Sequence, residues 1–373
     1  MRHCGLVLIG TLLMAANVRA ADLFVDNVAG DDLRDGARAE STGGSGPVRT
    51  LKRALELAHA GDHLRLANRG VPYREPISLS AAHHCGNDVS PFVIDGQGAT
   101  LDGLTPVSHD AWEPYRGAVF RFRPAKKTYQ QLFLDGKPAA QRKLASTDRA
   151  LPALGPLEWC RHDGFIYFRV EEHKLPENYE LSYHGLQTGI TLYHVHDVVI
   201  ADLIVQGFRI DGINAHDGVR HCELIGVTSR GNGRSGVAAG GSSRLRLDGC
   251  LIGDNGEAQL RAEGLATVTV DDSELVDNTA PAVVHKGQSQ VEVRQARTSD
   301  EPAGDEPAPE DASDSERRPK TRPTANRPNE SHPTNHSALC PRAGRHVGYG
   351  AAAKELIAER MAAVKLGQRV IAS

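Results

Sequence analysis

The feature that most restricts the fold of this chain is a period of 23 residues between positions 199 and 294. Residues of one kind recur at this spacing in four columns: Asn232, Asn255 and Asn278; Gly218, Gly241, Gly264 and Gly287; Val199, Cys222, Leu245, Val268 and Val291; and Ala201, Leu224, Leu247, Val270 and Val293. The two apolar columns are two residues apart, so they lie on the same face of a strand. A period of this length, with Gly and Asn at the turns, is typical of stacked coils. The pattern therefore predicts a parallel β-helix.

Charge and composition narrow the function classes. The 43 Lys and Arg residues nearly balance the 47 Asp and Glu residues, which gives a net charge of −4 and does not favour a nucleic-acid or anionic-membrane partner. After the first 20 residues, no segment is long and apolar enough to span a membrane. The 38 glycines and the 5% aromatic content fit a turn-rich solenoid with a slim aliphatic core.

The N-terminus is predicted to be a secretory signal peptide, residues 1–20. Arg2 and His3 precede an apolar stretch, residues 6–16, and Val18-Arg19-Ala20 forms a small-x-small cleavage site. We therefore expect a secreted protein, either extracellular or periplasmic. The five remaining cysteines form no CxxC pair and no even set, which argues against both a disulfide framework and a cysteine metal site. Cys222 and Cys250 are predicted to be small core residues.

Residues 22–102 are predicted to form an N-terminal cap and the first rungs. An amphipathic helix is expected over residues 48–60, with Thr50 as its cap and Gly61 after its end. Short strands are expected at residues 63–67, 77–80 and 91–95. The helix would cover the open first rung, which otherwise exposes apolar side chains and unpaired backbone.

Residues 103–190 break the period and are predicted to be an inserted β-rich subdomain. They carry both tryptophans and five of the eight tyrosines, and their apolar segments have the length and alternation of antiparallel strands. Asp135-Gly136 and Asp163-Gly164 are predicted hairpin turns. Regular rungs are expected again over residues 191–296.

The period stops after the fifth repeat. Residues 297–346 are dominated by Pro, Asp, Glu, Arg, Ser and Asn and are predicted to be disordered, whereas residues 347–373 are expected to contain an amphipathic helix over positions 351–370. Such a helix would cap the open end of the solenoid. As the alternative, we hypothesise a damaged C-terminal end, in which the solenoid was cut short, for example by a reading-frame error, and the chain is a truncated family member. A rung pattern that continues in another reading frame of the same DNA would support this hypothesis.

Several segments resemble secreted bacterial right-handed parallel β-helix proteins. They begin with Val25-Asp-Asn and Arg49-Thr-Leu-Lys-Arg-Ala54, include Pro91-Phe-Val-Ile-Asp-Gly-Gln-Gly-Ala-Thr-Leu-Asp-Gly103, and continue with Leu132-Phe-Leu-Asp-Gly-Lys137 and Val199-Ile-Ala-Asp-Leu203. The resemblance covers residues 22–296 and implies the pectate-lyase-like superfamily. Members of that superfamily mostly cleave or bind acidic polysaccharides, so this function enters as a fold-level analogy.

Elimination of a uronate chain needs a base beside the substrate and a cation that offsets the charge growing on the carboxylate. Two outward columns of the period carry such groups: Asp217, Gly240, Glu263 and Lys286, and Asp211, Arg234 and Glu257. We predict Lys286, Arg234 and His216 as catalytic residues, Arg261 and Asn214 as substrate-binding residues, and Asp211, Asp217 and Glu263 as calcium ligands. Arg234 is expected to be presented to solvent by the turn at residues 231–236.

Three alternatives remain open. The charged columns also fit a solvated ion-pair ladder without a function of its own. The chain is either a polysaccharide lyase, with hydrolysis as the second reaction, or a non-catalytic β-helix that binds glycan or serves as a surface scaffold. The aromatic residues of the insertion either stack on sugar rings or form a small core of their own. The sequence does not predict an oligomeric state.

Overall fold

The computed structural model describes residues 20–144 and 150–294. The predicted signal peptide, the predicted disordered segment at residues 297–346 and the predicted helix within residues 347–373 lie outside these ranges, apart from Ala20. Among the described residues, no helix has the length and apolar character needed to cross a bilayer.

The N-terminal region supplies the first strands and the α-helix. Its elements are β1 (Asp22–Val25), α1 (Leu51–Leu57), β2 (His63–Leu66), β3 (Ile77–Ser80) and β4 (Phe92–Asp102). Helix α1 is shorter than the predicted 48–60. It begins after Thr50, whose hydroxyl accepts the N–H of Arg53. The Glu75 carboxylate accepts the N–H groups of Leu51 and Lys52. It ends at Leu57, and the Asp62 carboxylate then accepts the N–H of His59.

The region between β4 and the regular rungs contains mainly antiparallel strands. They are β5 (Leu104–Pro106), β6 (Glu113–Arg116), β7 (Val119–Phe122), β8 (Leu132–Leu134), β9 (Lys137–Pro138), β10 (Ala140–Gln141), β11 (Glu158–His162), β12 (Phe165–Arg169) and β13 (Leu181–His184). Short 3₁₀ helices occur at His109–Ala111 and Pro176–Asn178. The strands form two sheets, ordered β10-β11-β12-β7-β6 and β5-β13-β8-β9. Both predicted Asp-Gly turns connect hairpins, with positive φ at Asp135, Gly136, Asp163 and Gly164.

Regular coils occupy the rest of the described chain. Their strands are β14 (Ile190–Tyr193), β15 (His196–Gln206), β16 (Asp211–Asp217), β17 (Arg220–Ile225), β18 (Thr228–Arg230), β19 (Ser235–Ala239), β20 (Arg244–Asp248), β21 (Leu251–Gly253), β22 (Ala258–Gly264), β23 (Thr267–Asp271), β24 (Glu274–Leu275), β25 (Val283–Gly287) and β26 (Gln290–Arg294). One sheet has the order β1-β2-β4-β15-β17-β20-β23-β26, with β18, β21 and β24 beside it, and a second has the order β3-β14-β16-β19-β22-β25. Successive coils thus pair in parallel.

Equivalent positions of successive coils are 23 residues apart from Cys222 onward, as predicted. The step from the preceding coil to Cys222 is one residue longer. Val198, not Val199, pairs with Cys222, and Ile200, not Ala201, pairs with Leu224. Val199 instead pairs with Glu223. The coil that joins these strands is 24 residues long, and one register shift lies between Leu192 and Tyr193. Such a shift adds a residue without changing the side of the strand that faces the core.

The coil interior is mainly aliphatic and buried, and one buried polar stack links successive coils. Asn232 donates from Nδ2 to Oδ1 of Asn255 at 3.0 Å, and Gln259 then joins Asn255 to Asn278. Asn232, Asn255 and Gln259 have no exposed surface. Cys222 and Cys250 are buried free thiols, as predicted, and burial raises their pKa values to about 12 and about 11.

Candidate functional site

The outward surface of β14, β16, β19, β22 and β25 carries most of the predicted site residues, and we call it the site face. Ile213, Val237 and Leu260 point inward at successive rungs with no exposed surface. The residues that follow them point outward in one row, which consists of Thr191, Asn214, Ala238, Arg261 and Val284. Neighbouring strands are about 4.8 Å apart, so outward side chains of adjacent rungs are within contact distance.

Arg234 and Asp211 form a bidentate ion pair on the site face. Nε and Nη2 of Arg234 donate to the two Asp211 oxygens at 3.0 and 2.5 Å, and Ser235 and Asn214 donate to the same carboxylate at 2.6 and 3.1 Å. Asp211 is fully buried, and only 22% of the Arg234 side chain is exposed. The turn thus presents Arg234 to solvent only in part, because its guanidinium lies over a buried carboxylate.

This ion pair joins two members of one predicted charged column, although the register at Asp211 differs by one residue. Asp211 pairs with Ser235, a step of 24, so the column Asp211, Arg234 and Glu257 is one residue out of register. Burial alone lowers the pKa of Arg234, but the ion pair with Asp211 outweighs it and raises that pKa above its ordinary value. Arg234 is thus a fixed cation and not a proton acceptor.

A second cluster of charged residues lies one to two rungs after Arg234 on the site face. It consists of Glu257, Arg261, Glu263 and Lys286. Arg261 is 5% exposed and donates to Glu263 at 3.3 Å and to Glu257 at 3.2 Å. Lys286 pairs in register with Glu263, and its Nζ lies 3.6 Å from Oε1 of that carboxylate. The Lys286 side chain is 63% exposed and open to a ligand.

Asp217 and His216 lie at the end of β16, where the register shifts. Tyr193 pairs with Asp217, and the exposed His216 is the extra residue, with its ring 5.8 Å from that of Tyr193. Asp217 accepts the Ser242 N–H at 3.1 Å, which lowers the pKa of its carboxyl. A Cβ at Gly241 would lie 1.9 Å from Asp217, so Asp217 faces Gly241 and not Gly240. The predicted column of Asp217, Gly240, Glu263 and Lys286 is therefore one residue out of register at Asp217.

The three predicted calcium ligands are not brought together. Asp211 is covered by four hydrogen bonds, Asp217 lies against Gly241 and Ser242, and Glu263 lies between Arg261 and Lys286. Within residues 20–144 and 150–294, no three His, Cys, Asp or Glu side chains are arranged to hold a metal ion. These residues do not fit one shared calcium ion.

The antiparallel region borders the site face at the turn that carries Arg234. Arg209 donates to the Thr128 hydroxyl at 2.7 Å, and the ring of His184 contacts the carbonyl oxygens of Tyr129 and Gly231, both at 2.9 Å. A Cβ at Gly233 would lie 2.1 Å from the Tyr129 carbonyl oxygen, so only glycine fits there. The insertion therefore fixes the position of this turn.

A cleft of about 600 Å³ lies where β4 meets the insertion, and the sequence reasoning missed it. Its charged lining residues are Arg74, Asp102, His109, Asp135, Glu177 and Glu180. Asp102 is 6% exposed, and burial raises its pKa, although the Leu104 N–H and Arg74 act in the opposite direction. In the structure, residues 100–102 pair with residues 204–206, which places Asp102 opposite Gln206 in the next coil.

Comparison with known proteins supports the fold. Residues 177–305 match a family described as "Right handed beta helix region". A structure entitled "Glycoside hydrolase" is 12% identical, with a TM-score of 0.52 over 68% of this chain and 73% of that one. Two others score lower: a complex of XylC with xylose (11% identity, 73% and 70% coverage, TM-score 0.39) and pectate lyase Pel9A (11%, 75% and 63%, TM-score 0.37). No curated protein sequence matches the chain.

At these identities, structural likeness establishes architecture and not activity. The family match covers the regular coils, and the first structural match extends over two thirds of the chain. The chain therefore has the right-handed parallel β-helix fold that its repeats and its sequence resemblance predicted.

Proposed function

We propose that the chain is a secreted protein that binds uronate-containing polysaccharide on the site face and cleaves it by β-elimination. The observation that carries the proposal is the Arg234–Asp211 pair, which holds a guanidinium in one orientation on an outward surface. A fixed cation of this kind stabilises charge that develops on a substrate carboxylate. The predicted signal peptide supports secretion.

We assign the roles of the site residues within this proposal as follows. Arg234 offsets the charge on the uronate carboxylate, while Arg261 and Asn214 bind the neighbouring sugar units. Lys286 or His216, both exposed, removes the proton next to the carboxylate, and the freed electron pair forms a double bond in the uronate as the bond to the leaving sugar oxygen breaks. The leaving oxygen keeps the electrons of that bond and takes a proton from water. The predicted calcium ligands do not fit one ion, so no step is assigned to calcium.

The decisive experiment follows ultraviolet absorbance of unsaturated uronate while the full chain acts on pectate, alginate and glycosaminoglycans. Each substrate is offered with calcium and with a chelator. Arg234→Gln is expected to lower kcat/KM by about 100-fold, since removing one such donor typically has an effect of this size. Lys286→Gln tests the proton acceptor, and Lys137→Gln, an exposed lysine on β9, is the matched control.

Folding defects are separated from catalytic defects by a paired variant. Arg234→Gln leaves Asp211 buried without its cation, so the double variant Asp211→Asn/Arg234→Gln removes both charges together. Activity that survives in the folded double variant would refute the role of Arg234. Absence of absorbance on every substrate would refute elimination, and polysaccharide binding without cleavage would favour the non-catalytic scaffold.

A second candidate activity, hydrolysis, is favoured by the cleft. Asp102 is a buried carboxyl with a raised pKa beside further carboxylates, which is the environment of a general acid in glycoside hydrolysis. New reducing ends without ultraviolet absorbance, lost in Asp102→Asn but retained in Arg234→Gln, would establish this activity in place of elimination.

A further inference from the structure

A second charged surface lies on the insertion, away from the rows of the site face. It is formed by one side of β6, β7 and β12 with the loop after β7, and we call it the basic strip. Its members are Tyr115, Arg121, Arg123, Lys127 and Phe165. The mechanism proposed above uses none of them.

The strip consists of cations stacked on aromatic rings. Arg121 and Arg123 place their guanidinium carbons 4.4 and 4.7 Å from the centre of the Phe165 ring, and Arg121 also lies 5.6 Å from the centre of Tyr115. These distances are within the range of cation–π attraction. Arg121 pairs with Tyr167 across the two strands, so Arg123 reaches the ring of Phe165, two residues before Tyr167.

The loop after β7 extends the strip. The Lys127 side chain lies over the Asp163-Gly164 turn, since a Cβ at Gly164 would be 3.3 Å from its Nζ. Arg161 donates to the Lys127 carbonyl at 3.3 Å, which ties the loop to β11. Arg123, Lys126, Lys127 and Arg161 are all exposed.

Two cations of this surface are not neutralised by a neighbouring carboxylate. Arg123 and Lys127 are exposed and, among the described residues, form no ion pair, whereas Arg121 pairs with Glu113 at 3.0 Å. Asp163 lies 3.3 Å from His162. A concentrated positive surface on a near-neutral protein attracts a polyanion locally.

We propose that the basic strip is a binding site for anionic polysaccharide, separate from the site face. Arginine forks pair with sugar carboxylates through two parallel hydrogen bonds, and the stacked guanidinium groups are already held in place. Nucleic acid fits less well, because base stacking needs open ring faces, whereas arginines cover Phe165.

The strip also leads toward the site face along the chain. Lys127 is followed by Thr128, which accepts from Arg209, and by Tyr129, which packs against Gly233 beside Arg234. A polymer held by the strip is thereby kept near the turn that carries Arg234, which raises its effective concentration there. This inference rests on the proposed function for the kind of polymer but not for the binding itself.

The test measures binding of the full chain to polygalacturonate by calorimetry at low and high salt. Arg123→Gln/Lys127→Gln is compared with Lys52→Gln/Lys137→Gln, which removes the same charge from α1 and β9. We expect the strip variant to weaken binding by about tenfold and to reduce its salt dependence, with less than about twofold change in the control. Circular dichroism and thermal unfolding confirm that both variants fold.

Two further arms identify the ligand. Fully methyl-esterified pectin, which lacks free carboxylates, should bind weakly and equally to wild type and to the strip variant. Single-stranded DNA should bind less tightly than polygalacturonate. Equal losses in the strip and control variants, unchanged binding in the strip variant, or tighter binding of DNA would each overturn the proposal.

The outcome is distinguishable from failure of the proposed function. If Arg234→Gln changes neither binding nor cleavage while the strip variant loses binding, the strip stands and the assignment of the site face fails. If only Arg234→Gln has an effect, the strip proposal fails and the site face stands. Turnover of a short uronate oligomer, too small to reach the strip, should remain unchanged in the strip variant.

Discussion

The coils and the insertion of this protein are stabilised in different ways. In the coils, like residues stack between rungs, as Asn232 does on Asn255, and the interior contains small aliphatic side chains. In the insertion, packing is aromatic and does not repeat. Trp112 meets Phe122 edge-to-face at 4.7 Å, and Phe168 meets Tyr179 at 5.7 Å. The coils thus share their stability among equivalent contacts, whereas the insertion depends on a few large side chains.

The largest effect is expected from Trp159→Ala. Trp159 is 1% exposed at the centre of the insertion core, and its Nε1 donates to the Ala139 carbonyl at 3.0 Å. Removal of the ring should destabilise the insertion by about 4 kcal/mol. Hydrogen exchange should show lost protection in β7, β11 and β12, while β20 and β23 keep theirs.

Trp112→Ala is the matched control for that variant. Trp112 is only partly buried at the edge of the same core, so its removal should have a smaller effect. Equal loss of protection in the coils and the insertion after Trp159→Ala would show that the two regions unfold as one unit and would contradict the comparison.

The next largest effect is expected from Asn255→Ala in the coils. Its side chain is fully buried and contacts Asn232, Gln259 and two carbonyl groups, so several buried partners lose a hydrogen bond. We expect a loss of about 3 kcal/mol in the free energy of unfolding, measured by urea denaturation. Asn278→Ala, at the exposed end of the same stack, should lose no more than about 1 kcal/mol. Similar losses for both variants would mean that the stack does not gain from burial.

The same contrast determines what could be predicted from the sequence. A period reports which residues stack, so the inward columns from Cys222 onward and the outward positions of Arg261 and Glu263 follow from counting. Counting is blind to one extra residue. The 24-residue coil therefore places Asp211 opposite Ser235 and Asp217 opposite Gly241, where counting predicts Arg234 and Gly240.

The other features that could not be predicted from the sequence lie where the insertion contacts the coils. Its Asp-Gly turns are local signals and were predictable, but its docking on the coils depends on contacts between residues far apart in sequence. The cleft at Asp102 forms between β4 and residues 177–182, and the turn of Arg234 is held by Tyr129 and His184. A single sequence without its fold carries no signal for such pairs.

The smallest expected effect is a pH dependence of the free energy of unfolding. It comes from His184, at the junction between the insertion and the coils. His184 is 1% exposed, and burial lowers its pKa to about 4, although its contacts with Gly231 and Tyr129 act in the opposite direction and Arg209 adds to the lowering. An unfolded histidine has a pKa of about 6.5. Between the two pKa values, His184 therefore binds a proton in the unfolded chain but not in the folded chain. The stabilisation is complete above pH 6.5 and is lost as the pH falls toward 4, by about 2 kcal/mol between pH 7 and pH 5.

This prediction is checked by urea denaturation of wild type and His184→Gln at both pH values. His63 and His84 also have pKa values lowered by burial, but they are present in both proteins, so the difference between the two pH slopes isolates His184. A steeper slope in wild type would show that the junction is held by a neutral imidazole, which has one N–H for two carbonyl groups. Equal slopes would mean that folding does not change the proton affinity of His184. A shallower slope in wild type would mean that folding raises that affinity, so that the two regions are joined by a charged ring that donates to both carbonyls and the turn of Arg234 is held more firmly at low pH than at neutral pH.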